Sequence, residues 1–179
     1  QAKPRVADYP FTTLQPTVGV VNFRDAYTMT VADIPGLIEG AHANRGLGHE
    51  FLRHIERTAV LAYVIDASGF GGDPVADYRS LQRELGLYDP ALLAKPAVVL
   101  ANKGDQKGAS AGAARLRAAT PLPVIEISAL AGTNVGAAAD ALRWLLEAHA
   151  KQRARAAATA AAAAASAEGG DAAAAAGKR

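Results

Sequence analysis

The 179-residue chain contains no cysteine, which excludes disulfides, thiolate metal sites and a thiol nucleophile. That absence fits a reducing compartment. Four histidines are scattered without zinc-ligand spacing. Apolar runs are short: nothing matches the roughly 18 residues of a membrane span, and the terminal alanine tract is too weakly hydrophobic to serve as one. No membrane partner is expected. Net charge is small, +2, and unevenly placed. Five basic and two acidic residues lie from Lys151 onward, giving that segment +3 and leaving the preceding body at −1. The basic excess therefore belongs to the tail and by itself marks no nucleic-acid-binding face. The chain opens at Gln1-Ala2-Lys3-Pro4 with neither an initiator methionine nor a signal-peptide pattern.

Half of the residues are hydrophobic, enough for one compact domain with an appendage. Pro4, Pro10 and Pro16 oppose a long helix in the first 17 residues. Val18 to Phe23 and Tyr27 to Ala32 read as strands of a hairpin around Arg24-Asp25-Ala26. Three glycines from Gly36 to Gly46 suggest a loop able to change conformation, and Leu47 to Thr58 has helical spacing in Leu47, Phe51 and Ile55. Arg53 on that helix reads as part of a solvated charged face. The apolar run Val60 to Asp66 predicts a buried parallel strand. A helix from Asp73 to Leu87, capped by Asp73-Pro74, a strand over Pro96–Ala101, a helix over 110–119, a strand over 123–127 and a helix from Asn134 to about Ala150 follow. This alternation predicts an α/β fold with a mostly parallel sheet flanked by helices. Alanine's helix propensity extends the last helix toward Ala167, with a disordered end beyond it.

Chemistry concentrates at predicted strand ends. Asp33-Ile34-Pro35-Gly36 ends the second strand with a carboxylate suited to the Mg²⁺ of a bound nucleotide. Its glycine lets a backbone N–H approach a terminal phosphate. An ordinary turn has the same look. Thr12-Thr13 offers paired hydroxyls upstream. The most specific signal is Asn102-Lys103-Gly104-Asp105 after a buried strand. The carboxylate of Asp105 only accepts, and its two oxygens match the adjacent ring N–H and amino donors of guanine, which adenine lacks. Asn102 can bridge the base's other edge to neighbouring loops, and the Lys103 stem can lie along its face. A capped polar turn is the plainer alternative. Ser128-Ala129-Leu130 ends the next strand, where a small residue frees a backbone N–H for the guanine carbonyl. The order of these motifs makes guanine nucleotide binding the leading hypothesis.

Three blocks make the sequence resemble the Obg-type GTPases: Ala7-Asp8-Tyr9-Pro10-Phe11-Thr12-Thr13-Leu14, Asp33 through Ala41, and Gly46 through Thr58. The likeness covers roughly residues 1–150, expected to be a partial G domain of P-loop NTPase type, with 151–179 an alanine-rich low-complexity tail. It implies binding of GTP or GDP, Mg²⁺ dependence, slow hydrolysis and a role in ribosome assembly with a ribosomal subunit or its RNA as partner. By that resemblance Phe11, Thr12, Thr13, Leu14 and Gln15 form the first switch, with Thr13 and Asp33 serving Mg²⁺. Asp33, Ile34, Pro35 and Gly36 start the second switch. Asn102, Lys103, Gly104 and Asp105, with Ser128, Ala129 and Leu130, hold the base. A monomer is expected.

Two absences stand out, the first a departure from the family and the second one that the resemblance implies the family shares. The family's Gly-x-x-x-x-Gly-Lys-Ser/Thr loop occurs nowhere in the chain; it and the first strand would precede Gln1, so a fragment of an active GTPase is the expectation. The alternative is a non-hydrolysing guanine-nucleotide-binding or ribosome-interaction module lacking phosphate binding. Leu37 also stands where Ras-like enzymes place a water-orienting glutamine, in keeping with the slow hydrolysis that the resemblance implies. No compartment is assigned: cytoplasm, mitochondrion and chloroplast all stay open.

Overall fold

A computed structural model of the chain describes residues 18–33 and 58–176, with backbone alone at Tyr88 and from residue 163 onward. The expected helix over Leu47 to Thr58 falls almost wholly outside these residues. β1 (Val18–Asn22) and β2 (Thr28–Ala32) form the expected antiparallel hairpin, in register from Val18 opposite Ala32 to Asn22 opposite Thr28. Its turn is closed by the Phe23 N–H on the Tyr27 carbonyl at 2.9 Å, and the two rings meet edge-on.

β3 (Leu61–Asp66), β4 (Ala97–Asn102) and β5 (Val124–Glu126) form a second sheet, parallel and in sequence order. Right-handed chain geometry requires a crossover between parallel neighbours, and helices supply both. Helix α1 (Pro74–Tyr88), followed by a 3-10 turn at Pro90–Ala94, connects β3 to β4, and α2 (Ala109–Ala119) connects β4 to β5. Asp73 caps α1 as expected: its carboxylate accepts the Val75 N–H, and Pro74 occupies the first turn, where its missing N–H does no harm. Asp89 caps the 3-10 turn in the same way through the Ala91 N–H. The sequence reading assigned no element there.

The central strand divides two apolar layers. Ala97, Val99 and Ala101 of β4 pack with Leu61, Tyr63 and Ile65 of β3, Tyr78 and Leu85 of α1, Leu92, and Ala109, Ala113 and Leu116 of α2. Val98 and Leu100 point the other way, toward Ile127 and toward Ala138, Leu142 and Leu145 of α3 (Val135–Ala176). Period-two alternation thus gives β4 two buried faces. The sequence reading extended that property to β3 because of its continuous apolar run. Here the structure differs: β3 buries Leu61, Tyr63 and Ile65 and exposes Ala62 and Val64, the latter 55% exposed. The α3 layer packs on the β4–β5 half of the sheet, so the apolar run of β3 outstrips the surface that covers it.

Helix α3 runs 42 residues, about 63 Å at 1.5 Å per residue, and passes Ala167 and the Gly169-Gly170 pair instead of ending in disorder. Two glycines each cost roughly 1 kcal/mol of helix propensity, a small penalty against a run of the best helix former. Near its start the helix touches the hairpin. Arg143 donates to Asp25 at 2.6 Å and to Glu147 at 2.8 Å, and its guanidinium lies 4.4 Å from the Tyr27 ring centroid and 5.1 Å from that of Phe23. The hydrogen bond from Arg143 holds the Asp25 carboxyl below its usual range. No helix among the described residues is long and apolar enough to cross a membrane.

Candidate functional site

Parallel strands deliver their carboxyl ends to one edge of the sheet, and the candidate residues gather there. Asn102 is the last residue of β4, opposite Asp66 at the end of β3, and its carbonyl accepts the Ala67 N–H at 3.0 Å. Its side-chain oxygen accepts the Ala129 N–H, also at 3.0 Å. That bond ties the loop after β4 to the loop after β5. Lys103 follows in the left-handed region at φ 63°, and the Gln106 N–H closes a turn onto its carbonyl. Gly104 is required by a close approach: its N–H binds the Ile127 carbonyl at 2.8 Å, and a Cβ there would stand 3.0 Å from that oxygen and 3.3 Å from Glu126 Cγ.

Asp105 and Ser128 are joined directly. The Ser128 hydroxyl donates to Asp105 Oδ1, while its oxygen accepts the Ala131 N–H at 3.0 Å. A hydroxyl has one hydrogen, so accepting from Ala131 leaves that hydrogen for the carboxylate. Ser128 is 1% exposed, and its own N–H binds the Thr133 carbonyl. The hydroxyl is therefore a buried strut under one oxygen of an otherwise exposed carboxylate, and among the described residues Oδ2 has no partner. Ala129 and Leu130 follow in the same loop, Leu130 with 89% exposure. On the outer side of β5 a cavity of about 510 Å³ runs from Asp105 and Ser128 past Glu126 and Arg117 to Asn134.

One residue in this constellation was not singled out from the sequence. Asp66, at the end of β3, receives the Lys103 ammonium on Oδ2 at 2.6 Å, and on Oδ1 the Ser68 N–H at 2.9 Å together with the Ser68 hydroxyl. The hydrogen bond from Lys103, helped by those from Ser68, holds its carboxyl below the usual value. The available signal was positional: an acid ending a buried strand, as Asp33 ends β2.

Of the predicted phosphate-side residues, Asp33 alone is described. It directly follows β2 and is exposed. Phe11, Thr12, Thr13, Leu14 and Gln15, with Ile34, Pro35 and Gly36, lie outside the described residues, as do Leu37 and Arg53. The structure thus brings Asn102, Gly104, Asp105, Ser128 and Ala129 into one bonded cluster, with Lys103 attached through Asp66.

Residues 1–103 match the family described as 50S ribosome-binding GTPase. The chain belongs to this GTPase family and is of the Obg type. It is 56% identical over 137 residues to a GTPase Obg of Desulforudis audaxviator, an overlap of 75% of this chain and 32% of that protein. A GTPase Obg of Akkermansia muciniphila is 53% identical over 137 residues, covering 75% of this chain and 39% of the relative. A GTP-binding protein 10 homolog of Drosophila melanogaster is 53% identical over 115 residues, 60% of this chain and 30% of its own length. The Obg-type chain thus spans about a third of the length of the curated relatives it matches.

Proposed function

We propose that this chain carries the guanine-recognising part of an Obg-type GTP-hydrolysing switch that works on a ribosomal particle. The observation that carries this reading is the hydrogen bond from the buried Ser128 hydroxyl to Asp105, in a cluster that Asn102 closes through the Ala129 N–H. It presents an acceptor-only carboxylate, braced on one oxygen, to two adjacent donors of an incoming base. Guanine carries such a pair and adenine does not. An adenine entering the slot would leave the carboxylate unmatched, the arrangement by which hydrogen-bonding sites discriminate most strongly. Lys103 and Leu130 supply apolar surface to the base, and the Ser128–Leu130 loop faces its carbonyl edge.

The phosphates belong to Thr13 and to the segment from Asp33 to Gly36. Hard oxygen donors suit Mg²⁺, and the exposed carboxylate of Asp33 at the end of β2 is of that kind. When bound, the ion neutralises charge on the phosphate oxygens. Arg143 grips the hairpin turn eight residues into α3, about 12 Å along the helix. Hydrolysis is an in-line attack of water on the terminal phosphate, slow because Leu37 cannot orient that water. The family's description supports a ribosomal partner.

Competition against a fluorescent GDP tests the base reading. GDP is expected to displace the probe from this chain at least tenfold better than ADP. With no Gly-x-x-x-x-Gly-Lys-Ser/Thr among the 179 residues, affinity is expected to be weaker than micromolar. Equal displacement by GDP and ADP refutes the assignment.

A further inference from the structure

A lysine in the position of Lys103, a long side chain half exposed at a strand end, is usually free to sample many rotamers. Here its ammonium is held across the sheet edge on Oδ2 of Asp66, in the neighbouring strand. The carboxylate is in turn fixed. Ser68 binds Oδ1 through both its N–H and its hydroxyl, leaving Oδ2 turned to the lysine. The parallel register sets Asp66 beside Asn102, one residue before Lys103, so the bond closes without a detour of the backbone. Asp105 faces the opposite way, toward Ser128 after β5. The lysine stem and the base-reading carboxylate thus flank the end of β4 from its two sides.

We infer that Asp66 is a positioning residue for guanine recognition: it holds the Lys103 stem extended toward β3 as a preformed apolar wall of the base slot. This rests on the base-binding reading above. A wall already ordered in the free protein need not lose rotamer freedom when ligand enters, and preorganised surfaces bind more tightly for that reason. Releasing Lys103 is expected to weaken guanine nucleotide binding roughly tenfold, through one long side chain that must then be ordered on binding.

Asp66→Asn tests this with little disturbance to the fold. The amide oxygen can still accept both Ser68 donors, while its NH₂ meets the lysine ammonium, donor against donor. The dissociation constant of GDP is measured for the parent chain, Asp66→Asn, Lys103→Met and the double variant, with Asp66→Ala as a second probe and thermal unfolding as a check. The expected result is a roughly tenfold loss in Asp66→Asn that shrinks below twofold when the same change is made in the Lys103→Met background. An equal loss in both backgrounds, or no loss in a folded Asp66→Asn, overturns the inference. Asp105→Asn serves as the control on the parent reading. If it leaves guanine preference untouched, base binding itself is misassigned. If it alters preference while the Asp66 and Lys103 changes stay additive, only the positioning role falls.

Discussion

Replacing Asp105 with Asn should turn the base preference from guanine toward xanthine, and the Ser128 geometry says which way the new amide points. The Ser128 oxygen accepts the Ala131 N–H at 3.0 Å, so its single hydrogen is directed at position 105. An asparagine there must keep its oxygen toward Ser128, which puts the NH₂ where Oδ2 stood. Guanine would then meet a donor with a donor. One charge-assisted hydrogen bond disappears, about 1.5–3 kcal/mol, and the opposed donors go unsatisfied at about 1–3 kcal/mol. Asp105 is exposed before ligand enters, so the lower end of that sum applies, roughly 3 kcal/mol or about 100-fold in affinity. Xanthine offers a carbonyl in place of the amino group and accepts the new NH₂. Competition of GDP and XDP against a fluorescent guanine nucleotide reads both changes. Adding Ser128→Ala frees the amide to flip, and the xanthine preference of Asp105→Asn should then narrow. A folded Asp105→Asn that binds GDP within threefold of the parent refutes the reasoning.

Two further predictions concern what supports the site. A Cβ at Gly112 of α2 would stand 2.1 Å from the Ala67 carbonyl oxygen and 3.0 Å from its carbon, both backbone atoms of the segment that follows β3. Gly112→Ala must displace α2 from that segment and is expected to destabilise the chain by about 3 kcal/mol, at the upper end for overpacking, with a matching fall in Tm; an unchanged Tm refutes the close approach. Burial, assisted by charge repulsion from the neighbouring Tyr78, pushes the Tyr63 hydroxyl up to about 12 from 10.0. Above pH 10 the unfolded chain releases this proton while the folded chain keeps it, so the unfolded state binds fewer protons and stability falls between pH 10 and pH 12. That share is on the order of 2 kcal/mol and should vanish in Tyr63→Phe, read from denaturation curves across that window; parallel curves for the two chains refute it.

Much of the fold was legible because its signals are local. The hairpin announced itself by two β-rich runs around a short polar turn, and helix α1 by the Asp73-Pro74 cap, which the structure confirms bond for bond. Continuity of the apolar run in β4 correctly implied burial on both faces. The same signal misled in β3, since burial depends on which helix covers the strand and not on the strand's own residues. The length of α3 was underestimated: alanine's propensity carried the expected helix only toward Ala167, whereas the helix runs on through Gly169-Gly170 to Ala176, because a C-terminal glycine stop also needs a left-handed turn and a contact to close it.

Asp66 was missed for a deeper reason. Nothing in its neighbourhood distinguishes an acid that caps a strand from one that steers a lysine 37 positions later. Register decides it. With Leu61 opposite Ala97, Asp66 falls opposite Asn102 and one residue short of Lys103; slipping β3 by one residue would turn its side chains to the other face of the sheet. The alternation that buries Leu61, Tyr63 and Ile65 against α1 therefore also fixes where the carboxylate of Asp66 emerges. Core packing and the Asp66–Lys103 contact are set by the same parallel pairing. A substitution that forces β3 out of register should disturb the Lys103 contact before it disturbs Asp105, which is braced from the β5 side through Ser128.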